Sequence, residues 1–298
     1  MINKEDTILV TGGRGFLGKA LCRLLKLHNY KNAVALPGSS LTSKVYVEHI
    51  FRCHQPDVVI HLAARVGGIG ANKENPGTFF YENMAMGLNV VEEARLRGCK
   101  KLLLTSTVCS YPKHTPVPFK EGDIWNGYPE ETNAPYGIAK KALMEMLSAY
   151  RNQYGFNGIT LIPVNMYGPE DNFNTVSSHV IPALILKIQR AIDLFSGHID
   201  VWGTGEASRE FLYVEDCASA ILKALELYDE PYPVNLGTGE EIKIKDLVEM
   251  MCDLMGYSGR VVFDSSKPDG QPRRCLDTSL AKEKFGFVAN TKLETGLK

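Results

Sequence analysis

The sequence predicts an α/β fold built on a parallel sheet, and two observations support this prediction. Short apolar segments alternate with longer helical segments in the first half of the chain, as in consecutive strand-helix-strand units. Segments 58–60 and 102–104 are apolar at every position, as expected for strands covered on both faces. The predicted strands cover residues 7–11, 32–36, 57–62, 101–105 and 158–163. The predicted helices include residues 15–28, 79–97 and 136–154.

The alternation ends near Asn165. Glycine and proline then mark loops, and we expect turns and shorter elements that shape a ligand site. These loop signals lie at residues 168–169, 203–205, 237–239 and 268–270. The last residues, 294–298, are typical of the start of a helix, which suggests that residues are missing from this end.

The composition excludes several classes of partner. The chain has 298 residues, with 33 Lys and Arg against 34 Asp and Glu, so it offers no broad positive field for nucleic acid. The seven cysteines form no Cys-x-x-Cys pair and no Cys/His cluster, so we expect no metal site and a reducing cytoplasm. No apolar segment approaches the length of a membrane span, and we expect a soluble, unprocessed protein.

A glycine-rich turn separates the first predicted strand from the first predicted helix. Glycines spaced three apart let the backbone approach a pyrophosphate, whose charge is stabilised at the helix N-terminus. The turn therefore predicts a dinucleotide site, although a tight turn without a ligand is an alternative interpretation. The candidate cofactor-binding residues of this turn are Gly12, Gly13, Arg14, Gly15, Phe16, Leu17 and Gly18.

The end of the second predicted strand favours NADP over NAD. Residues 34–40 contain no Asp or Glu, whereas NAD-selective folds usually place an acid there for the ribose 2′-hydroxyl. Arg14 offers a cation for a 2′-phosphate, unless it simply points to solvent.

Tyr136 and Lys140 lie four residues apart, on one face of a helix that Pro135 starts. A nearby cation stabilises a phenolate, so Tyr136 can exchange a proton with a carbonyl oxygen. A surface pair on an amphipathic helix is the alternative. Thr107 follows a predicted strand at its carboxyl end, where a hydroxyl can bond the same carbonyl.

These three residues resemble the Ser/Thr-Tyr-Lys triad of extended short-chain dehydrogenases. Further motifs narrow the resemblance to the GDP-L-fucose synthase family, over a region from about Ile8 to Leu297. They are HLAARVGGI at 61–69, CSYPK at 109–113, NMYGP at 165–169, DNF at 171–173, SHVIPAL at 178–184 and KPDG at 267–270.

The resemblance implies a Rossmann-type doubly wound parallel sheet with a smaller C-terminal α/β substrate domain. It places the NADP-binding domain at residues 1–165, with parts of 205–240 returning to it, and a mainly substrate-binding domain at 166–298. Family members epimerise GDP-4-keto-6-deoxy-mannose at C3 and C5 and reduce C4 with NADPH, giving GDP-L-fucose; relatives make GDP-colitose. They commonly pair through two helices, here residues 79–97 and 136–154, so we expect a homodimer.

The resemblance also assigns roles to single residues. Cys109 and His179 would exchange protons with the carbons beside the ketone, because a thiol and an imidazole ionise near neutral pH. From the residues alone, Cys109 is more often a small buried residue and His179 more often a polar residue at a helix start. The further cofactor-binding residues are Ala63, Ala64, Lys140, Pro163, Asn165, Met166 and His179. The substrate-binding residues are Lys187, Trp202, Arg209 and Asp269.

Each substrate residue also has a structural interpretation. Arg209 suits a bidentate contact with a diphosphate, but Lys187 reads equally as a solvated helix lysine. Trp202 reads equally as core, and Asp269 as the stabiliser of a Pro-Asp-Gly turn.

Two departures from the family pattern stand out. Thr107 replaces the more usual serine, and residues 36–42 lack the basic residue that members often place near the 2′-phosphate. The alternatives left open are a single-function C4 reductase or epimerase on a related GDP-heptose or GDP-dideoxy sugar, and a non-catalytic NADP-binding scaffold.

Overall fold

A six-stranded parallel sheet forms the centre of the structure, a computed structural model that describes residues 2–38, 40–174, 177–267 and 269–298. Its strands lie in the order β2-β1-β3-β4-β5-β9. The second strand is therefore added on one side of β1, and the later strands are added on the other side. Every neighbouring pair is parallel. The strands of this sheet are β1 (Ile8–Thr11), β2 (Ala33–Leu36), β3 (Val58–His61), β4 (Lys101–Thr105), β5 (Gly158–Pro163) and β9 (Val234–Leu236).

Helices cover both faces of this sheet, which confirms the predicted doubly wound α/β fold. Helices α1 and α7 pack together on one face, and α2, α4 and α5 pack on the other. Their bounds are α1 (Phe16–Leu27), α2 (Lys44–His54), α4 (Pro76–Leu96), α5 (Ala134–Tyr154) and α7 (Val214–Leu227). A short helix, α3 (Ile69–Glu74), precedes α4.

The elements agree closely with the sequence patterns that predicted them. Leu17, Leu21 and Leu25 lie four apart and are all buried on the inner face of α1. Residues 58–60 and 102–104 are fully buried, as their unbroken apolar character requires. The predicted bounds extend past the observed ones by one residue at Thr7, Asn32, Asp57 and Leu62, because these residues lie outside the strand pairings.

The prediction of short elements after Asn165 was wrong for the helices of that half. Here α6 and α7 have 14 residues each and α8 has 12. Their apolar residues recur at helical spacing, but the flanking glycine and proline signals obscured this period. The remaining elements are α6 (Val180–Asp193), α8 (Ile244–Met255), α9 (Ser279–Phe285), α10 (Leu293–Leu297), β6 (Asn165–Tyr167), β7 (His198–Trp202), β8 (Ser208–Tyr213), β10 (Glu241–Lys243) and β11 (Arg260–Asp264).

The second half forms a smaller lobe with its own core. Strands β10, β8 and β6 make one sheet, and β11 pairs with β7 in another. Helices α6 and α8 pack together, and Leu184, Ile188 and Leu247 contribute to this core. Helix α7 and strand β9 belong instead to the core of the large sheet, as Ile221 and Val234 show. Within the described residues, no helix is long and apolar enough to span a membrane.

A buried carboxylate joins the segments of the small lobe that face the large sheet. Glu210 on β8 is fully buried, and its carboxylate accepts hydrogen bonds from the backbone N–H groups of Gly239 (2.7 Å) and Leu276 (2.7 Å). The N–H of Thr238 donates to it at 2.5 Å. Burial raises the pKa of Glu210, while the backbone donors oppose that rise. One side chain therefore holds two loops that are distant in sequence.

We expect Glu210→Gln to lower the free energy of unfolding by about 2 kcal/mol, because an amide presents donors to backbone groups that are themselves donors. Urea denaturation followed by circular dichroism measures this loss. Glu240→Gln is the matched control, because Glu240 is exposed and its side chain makes no hydrogen bond among the described residues. Equal midpoints for the two variants would contradict the role given to Glu210.

Candidate active site

The glycine-rich turn joins β1 to α1 and packs directly on the chain that follows β3. Gly12 has a φ of 70°, and a Cβ there would lie 2.8 Å from the backbone nitrogen of Ala63. A Cβ on Gly18 would overlap the carbonyl oxygen of Gly12. Glycine at these two positions therefore lets the turn, the helix and the next strand meet without side chains between them.

The turn fits a dinucleotide phosphate. Gly15 is the N-cap of α1 and provides no side-chain cap, so the first N–H groups of this 12-residue helix have no capping acceptor. Phe16 and Leu17 form its first turn. Arg14 is exposed beside them and makes no hydrogen bond or ion pair with the described residues. Positive helix-end charge, an arginine and small residues are what an anionic dinucleotide requires.

The ends of β2 and β3 complete the edge of this pocket. Ala63 is buried and Ala64 is half-buried. Gly13 packs against Ala35 of β2. Ser39, in the segment expected to accept the ribose phosphate, lies outside the described residues, as does Pro268 of the KPDG motif.

Thr107 and Cys109 are positioned by a 3-10 turn, Val108–Ser110, immediately after β4. The Thr107 hydroxyl accepts a hydrogen bond from the Cys109 N–H at 3.2 Å and so caps the turn. A Cβ on Gly137 would overlap the Cys109 carbonyl oxygen, so the turn packs against the first residues of α5. The hydroxyl of Ser110 donates to the Gly137 carbonyl at 3.1 Å and fixes this contact.

Tyr136 lies beside this turn, where its phenol forms a hydrogen bond with Thr107 and interacts electrostatically with Cys109. Burial is the main cause of its raised pKa; the Cys109 thiol adds to the rise, and the hydrogen bond with Thr107 opposes it. In the free protein Tyr136 is therefore a protonated donor at neutral pH. A proton donor is the form that reduction of a ketone requires.

Lys140 lies one helical turn further along α5 and is almost fully buried. Its ammonium donates to the Thr105 carbonyl at the end of β4, at 3.0 Å. Burial lowers its pKa to about 8. Lys140 thus remains charged at neutral pH, with hydrogen-bonding capacity left for a further acceptor.

His179 and Arg274 lie on the small-lobe side of Cys109. The Arg274 guanidinium donates to the Cys109 sulfur at 3.7 Å and to the Gln271 side chain at 3.2 Å. His179 is the N-cap of α6 and has a lowered pKa, chiefly through desolvation. The charge of Arg274 lowers this pKa further, and the carboxylate of Asp171 opposes the shift.

Arg209 and Asp269 are already engaged with the protein. Arg209 donates to the carbonyls of Ser208 (2.6 Å), Gln271 (2.6 Å) and Asp269 (2.8 Å). The Asp269 carboxylate accepts from the N–H and hydroxyl of Thr204, at 2.7 and 2.8 Å. Burial lowers the pKa of Arg209 to about 10. The Asp269 carboxylate therefore holds a loop 65 residues away; its role in its own turn and the substrate contacts of both residues stay predictions.

Lys187 and Trp202 form a separate patch on the small lobe. The Lys187 ammonium donates to the Asp200 carbonyl at 2.9 Å, and its nitrogen lies 5.9 Å from the centre of the Trp202 ring. The Lys267 ammonium lies 5.6 Å from the same ring. Trp202 is 59% exposed, so the core interpretation is wrong for it, and an exposed indole between two ammonium groups suits a planar anionic ligand.

Pro163, Asn165 and Met166 mark the junction between the large sheet and the small lobe. Pro163 ends β5, and Asn165 and Met166 begin β6. The Asn165 side-chain amide donates to the Glu210 carbonyl at 3.1 Å, which ties this junction to β8.

The structure brings Thr107, Cys109, Tyr136 and Lys140 to the carboxyl end of β4, with Arg209 and His179 on the small-lobe side of Cys109. It leaves Lys187 and Trp202 in their own patch. The sequence analysis missed Arg274 and Glu210, because each is identified only by contacts with distant segments. Only their positions beside motifs could have identified these two residues from the sequence. Glu210 follows Arg209, and Arg274 lies four residues after KPDG.

A glycine-rich turn and a Tyr-Lys pair at the carboxyl ends of parallel strands define a dinucleotide-fold enzyme of the dehydrogenase type. The sequence profile of the NAD dependent epimerase/dehydratase family matches residues 8–237. GDP-L-fucose synthase of Sinorhizobium fredii is 41% identical over 97% of this chain and 92% of that protein. The chain belongs to the epimerase/dehydratase family and, within it, to the GDP-L-fucose synthase family.

Solved structures agree with this assignment. A GDP-6-OMe-4-keto-L-xylo-heptose reductase from C. jejuni is 28% identical, with a TM-score of 0.93 over 100% of this chain and 97% of that one. A GDP-L-fucose synthetase from Naegleria fowleri bound to NADP is 27% identical, with a TM-score of 0.89 over 100% of this chain and 93% of that one.

We expect Gly12→Ala to lower the free energy of unfolding by about 2 kcal/mol more than Gly98→Ala does. Both glycines have nearly the same positive φ, 70° and 69°, but only a Cβ on Gly12 meets another part of the backbone. Comparing the two urea denaturation midpoints isolates the cost of that contact from the cost of backbone strain. Equal losses would show that the turn can move away from Ala63.

Proposed function

We propose that this protein is an NADPH-dependent 3,5-epimerase/4-reductase that converts GDP-4-keto-6-deoxy-D-mannose to GDP-L-fucose. The observation that carries the proposal is the placement of Cys109 beside Tyr136 and Thr107, on the turn that follows β4. A ketone reductase requires only the tyrosine and its partners. A thiol next to them supplies the acid-base group that inversion of a neighbouring carbon requires.

The cofactor is proposed to bind along the carboxyl ends of β1 to β5. Gly12, Gly15 and Gly18 leave room for the pyrophosphate at the N-terminus of α1, and Arg14 is free to pair with a 2′-phosphate. Lys140 has donors available for the nicotinamide ribose. When bound, NADPH supplies the hydride for C4.

Epimerisation uses the acidity of the carbons beside the ketone. We propose that Cys109 and His179 act on C3 and C5, one removing the carbon-bound proton and the other returning a proton to the opposite face. The lowered pKa of His179 makes its protonated form a stronger acid and keeps the ring neutral in the free protein at neutral pH. Thr107 can hydrogen-bond the oxygen on which the enolate charge develops.

Reduction follows at C4, the carbon of the same ketone. Tyr136 is protonated in the free protein and donates its proton to the C4 oxygen. The Lys140 ammonium, one turn along α5, stabilises the phenolate that remains. Because both reactions use one ketone, reduction has to come after epimerisation.

The small lobe is proposed to hold the nucleotide. Trp202, Lys187 and Lys267 offer a ring flanked by cations for the guanine and diphosphate. Arg209 and Asp269 order the neighbouring turns, and substrate contacts would add to those roles. This assigns residues 1–165, with α7 and β9, to the cofactor domain and most of 166–298 to the substrate domain.

A second candidate is a C4 reductase without epimerase activity. The similarity to the heptose reductase of C. jejuni favours it. The two candidates differ in one property: only the dual enzyme exchanges the hydrogens at C3 and C5.

We also propose a cytoplasmic homodimer. All seven cysteines are free thiols in the structure, which suits a reducing compartment. Phe80, Tyr81 and Leu88 are exposed on α4. Leu88 also borders a groove of about 270 Å³, which Met146 and Tyr150 of α5 line together with charged residues of α2 and α4. The apolar part of the proposed dimer face is therefore the set of exposed side chains on α4.

With GDP-4-keto-6-deoxy-D-mannose and NADPH, the wild-type protein should oxidise NADPH and form GDP-L-fucose. Without NADPH in deuterated water, it should incorporate deuterium at C3 and C5 of the substrate. Tyr136→Phe should lower kcat for reduction at least about 100-fold and retain deuterium incorporation, because only the reduction step needs the phenol proton. Absorbance at 340 nm and NMR of the sugar measure the two activities.

Tyr154→Phe is the control on the same helix, since Tyr154 is half-exposed at the far end of α5. Reduction without deuterium incorporation by the wild-type protein would exclude the dual activity and leave the C4 reductase. Full reductase activity in Tyr136→Phe would reject the role given to the phenol.

Sedimentation should give about twice the chain mass of 33.0 kDa for the wild-type protein. Leu88→Glu should yield monomers, because it places a charge in the proposed apolar interface. Leu227→Glu changes an exposed leucine on α7, on the other face of the sheet, and should leave the dimer intact. A monomeric wild-type protein would reject the homodimer.

A further inference from the structure

Arg274 is a buried arginine with no carboxylate partner. It is 6% exposed, and within the described residues it forms no ion pair. Among the described residues, its guanidinium donates to the neutral Gln271 amide and to the Cys109 sulfur and to no other group. Its neighbour Arg273 is the opposite case, because it is exposed and paired with Glu241.

Burying an unpaired guanidinium is costly, and such a group is usually matched by an anion at some stage of function. The atom it contacts here is the Cys109 sulfur, at 3.7 Å, which becomes an anion when the thiol loses its proton. Other cations lie near Cys109, but the hydrogen bonds of Arg209 are directed at three backbone carbonyls and that of Lys140 at the Thr105 carbonyl. Arg274 is therefore the cation in direct contact with the sulfur.

Two contacts hold Arg274 in this place. The N–H of Leu276 donates to the buried Glu210 carboxylate, and the Gln271 side-chain amide donates to the Lys113 carbonyl at 3.0 Å. The segment that carries Arg274 is thus fixed at both ends, against β8 and against the loop after Cys109. The guanidinium is pre-organised before any substrate binds.

We propose that Arg274 is a catalytic residue that stabilises the thiolate form of Cys109, and that this thiolate removes the carbon-bound proton in epimerisation. In that step the C–H bond breaks, its proton forms S–H with Cys109, and the electron pair moves to the ketone oxygen as an enolate. His179 has to enter this step as the imidazolium; it then donates its proton to the opposite face of the carbon and is left as the neutral imidazole. This inference rests on the proposed function for its substrate, and the part that concerns the thiolate stands without it.

The thiolate can be tested without substrate, because iodoacetamide alkylates thiolates and not thiols. At neutral pH, Arg274→Met and Arg274→Gln should slow the alkylation of Cys109 by about tenfold, since a cation in contact with the sulfur favours the ionised form to at least that extent. Arg274→Lys should stay within about threefold of the wild type, because it keeps the charge. Mass spectrometry of the peptides gives the rate for each cysteine.

Two controls separate charge from disturbance of the fold. Arg273→Met removes an equal charge one residue away and should leave the Cys109 rate unchanged. Cys53 is exposed and distant, and its rate serves as the internal reference. One of the two neutral variants of Arg274 is enough for the alkylation test, provided that it keeps the circular dichroism spectrum and the NADPH affinity of the wild-type protein. Wild-type alkylation in a folded neutral variant, or slow alkylation in Arg274→Lys, would overturn the proposal.

Activity measurements extend the test to the reaction. In Arg274→Met, deuterium incorporation at C3 and C5 should fall about tenfold, while kcat for C4 reduction of an already epimerised substrate should remain within about threefold. Equal losses in both activities would overturn the catalytic role. If the wild-type protein shows no incorporation at all, the proposed function fails, whereas the alkylation result still decides whether Arg274 stabilises the thiolate.

Discussion

The site depends on one constraint, which is that all six strands of the large sheet are parallel. Parallel strands end at the same edge, so residues far apart in the chain are brought together there. Gly12 follows β1, Ala63 follows β3, and Thr107 follows β4. Because helices cover both faces, this edge is where a ligand can reach the sheet. The glycine-rich turn is the clearest consequence, since its backbone packs directly on the segment after β3.

The small lobe adds groups that the sheet cannot supply. Its connection to the sheet edge relies on the buried Glu210 carboxylate, which accepts backbone hydrogen bonds from two separate loops. One of these loops precedes β10, and the other carries Arg274 to the Cys109 sulfur. A single buried acceptor therefore holds both loops, including the one that brings Arg274 to Cys109. Such a network holds its geometry only when all its donors are satisfied.

Different ionisable groups lie on the two sides of Cys109, which suits a site that catalyses two reactions. On the large-sheet side lie the phenol of Tyr136 and the ammonium of Lys140, both buried, with the phenol protonated in the free protein. On the other side lie Arg274 and the ring of His179, whose lowered pKa reflects burial and the neighbouring arginine. In the proposed mechanism, proton donation to an oxygen and proton exchange at carbon thus use separate groups around Cys109.

The sequence by itself determined five of the six strands of the large sheet, the glycine turn and the Tyr-Lys pair, because each depends on residues close together in the chain; β9 was not predicted. Strand burial follows from unbroken apolar segments, and the shared helix face of Tyr136 and Lys140 follows from a spacing of four. The hydrogen bonds of Arg209 to carbonyls and the contacts of Glu210 and Arg274 were decided only by the tertiary structure. Glu210 and Arg274 make contacts across 66 and 165 residues, and no local pattern encodes a contact at such a separation.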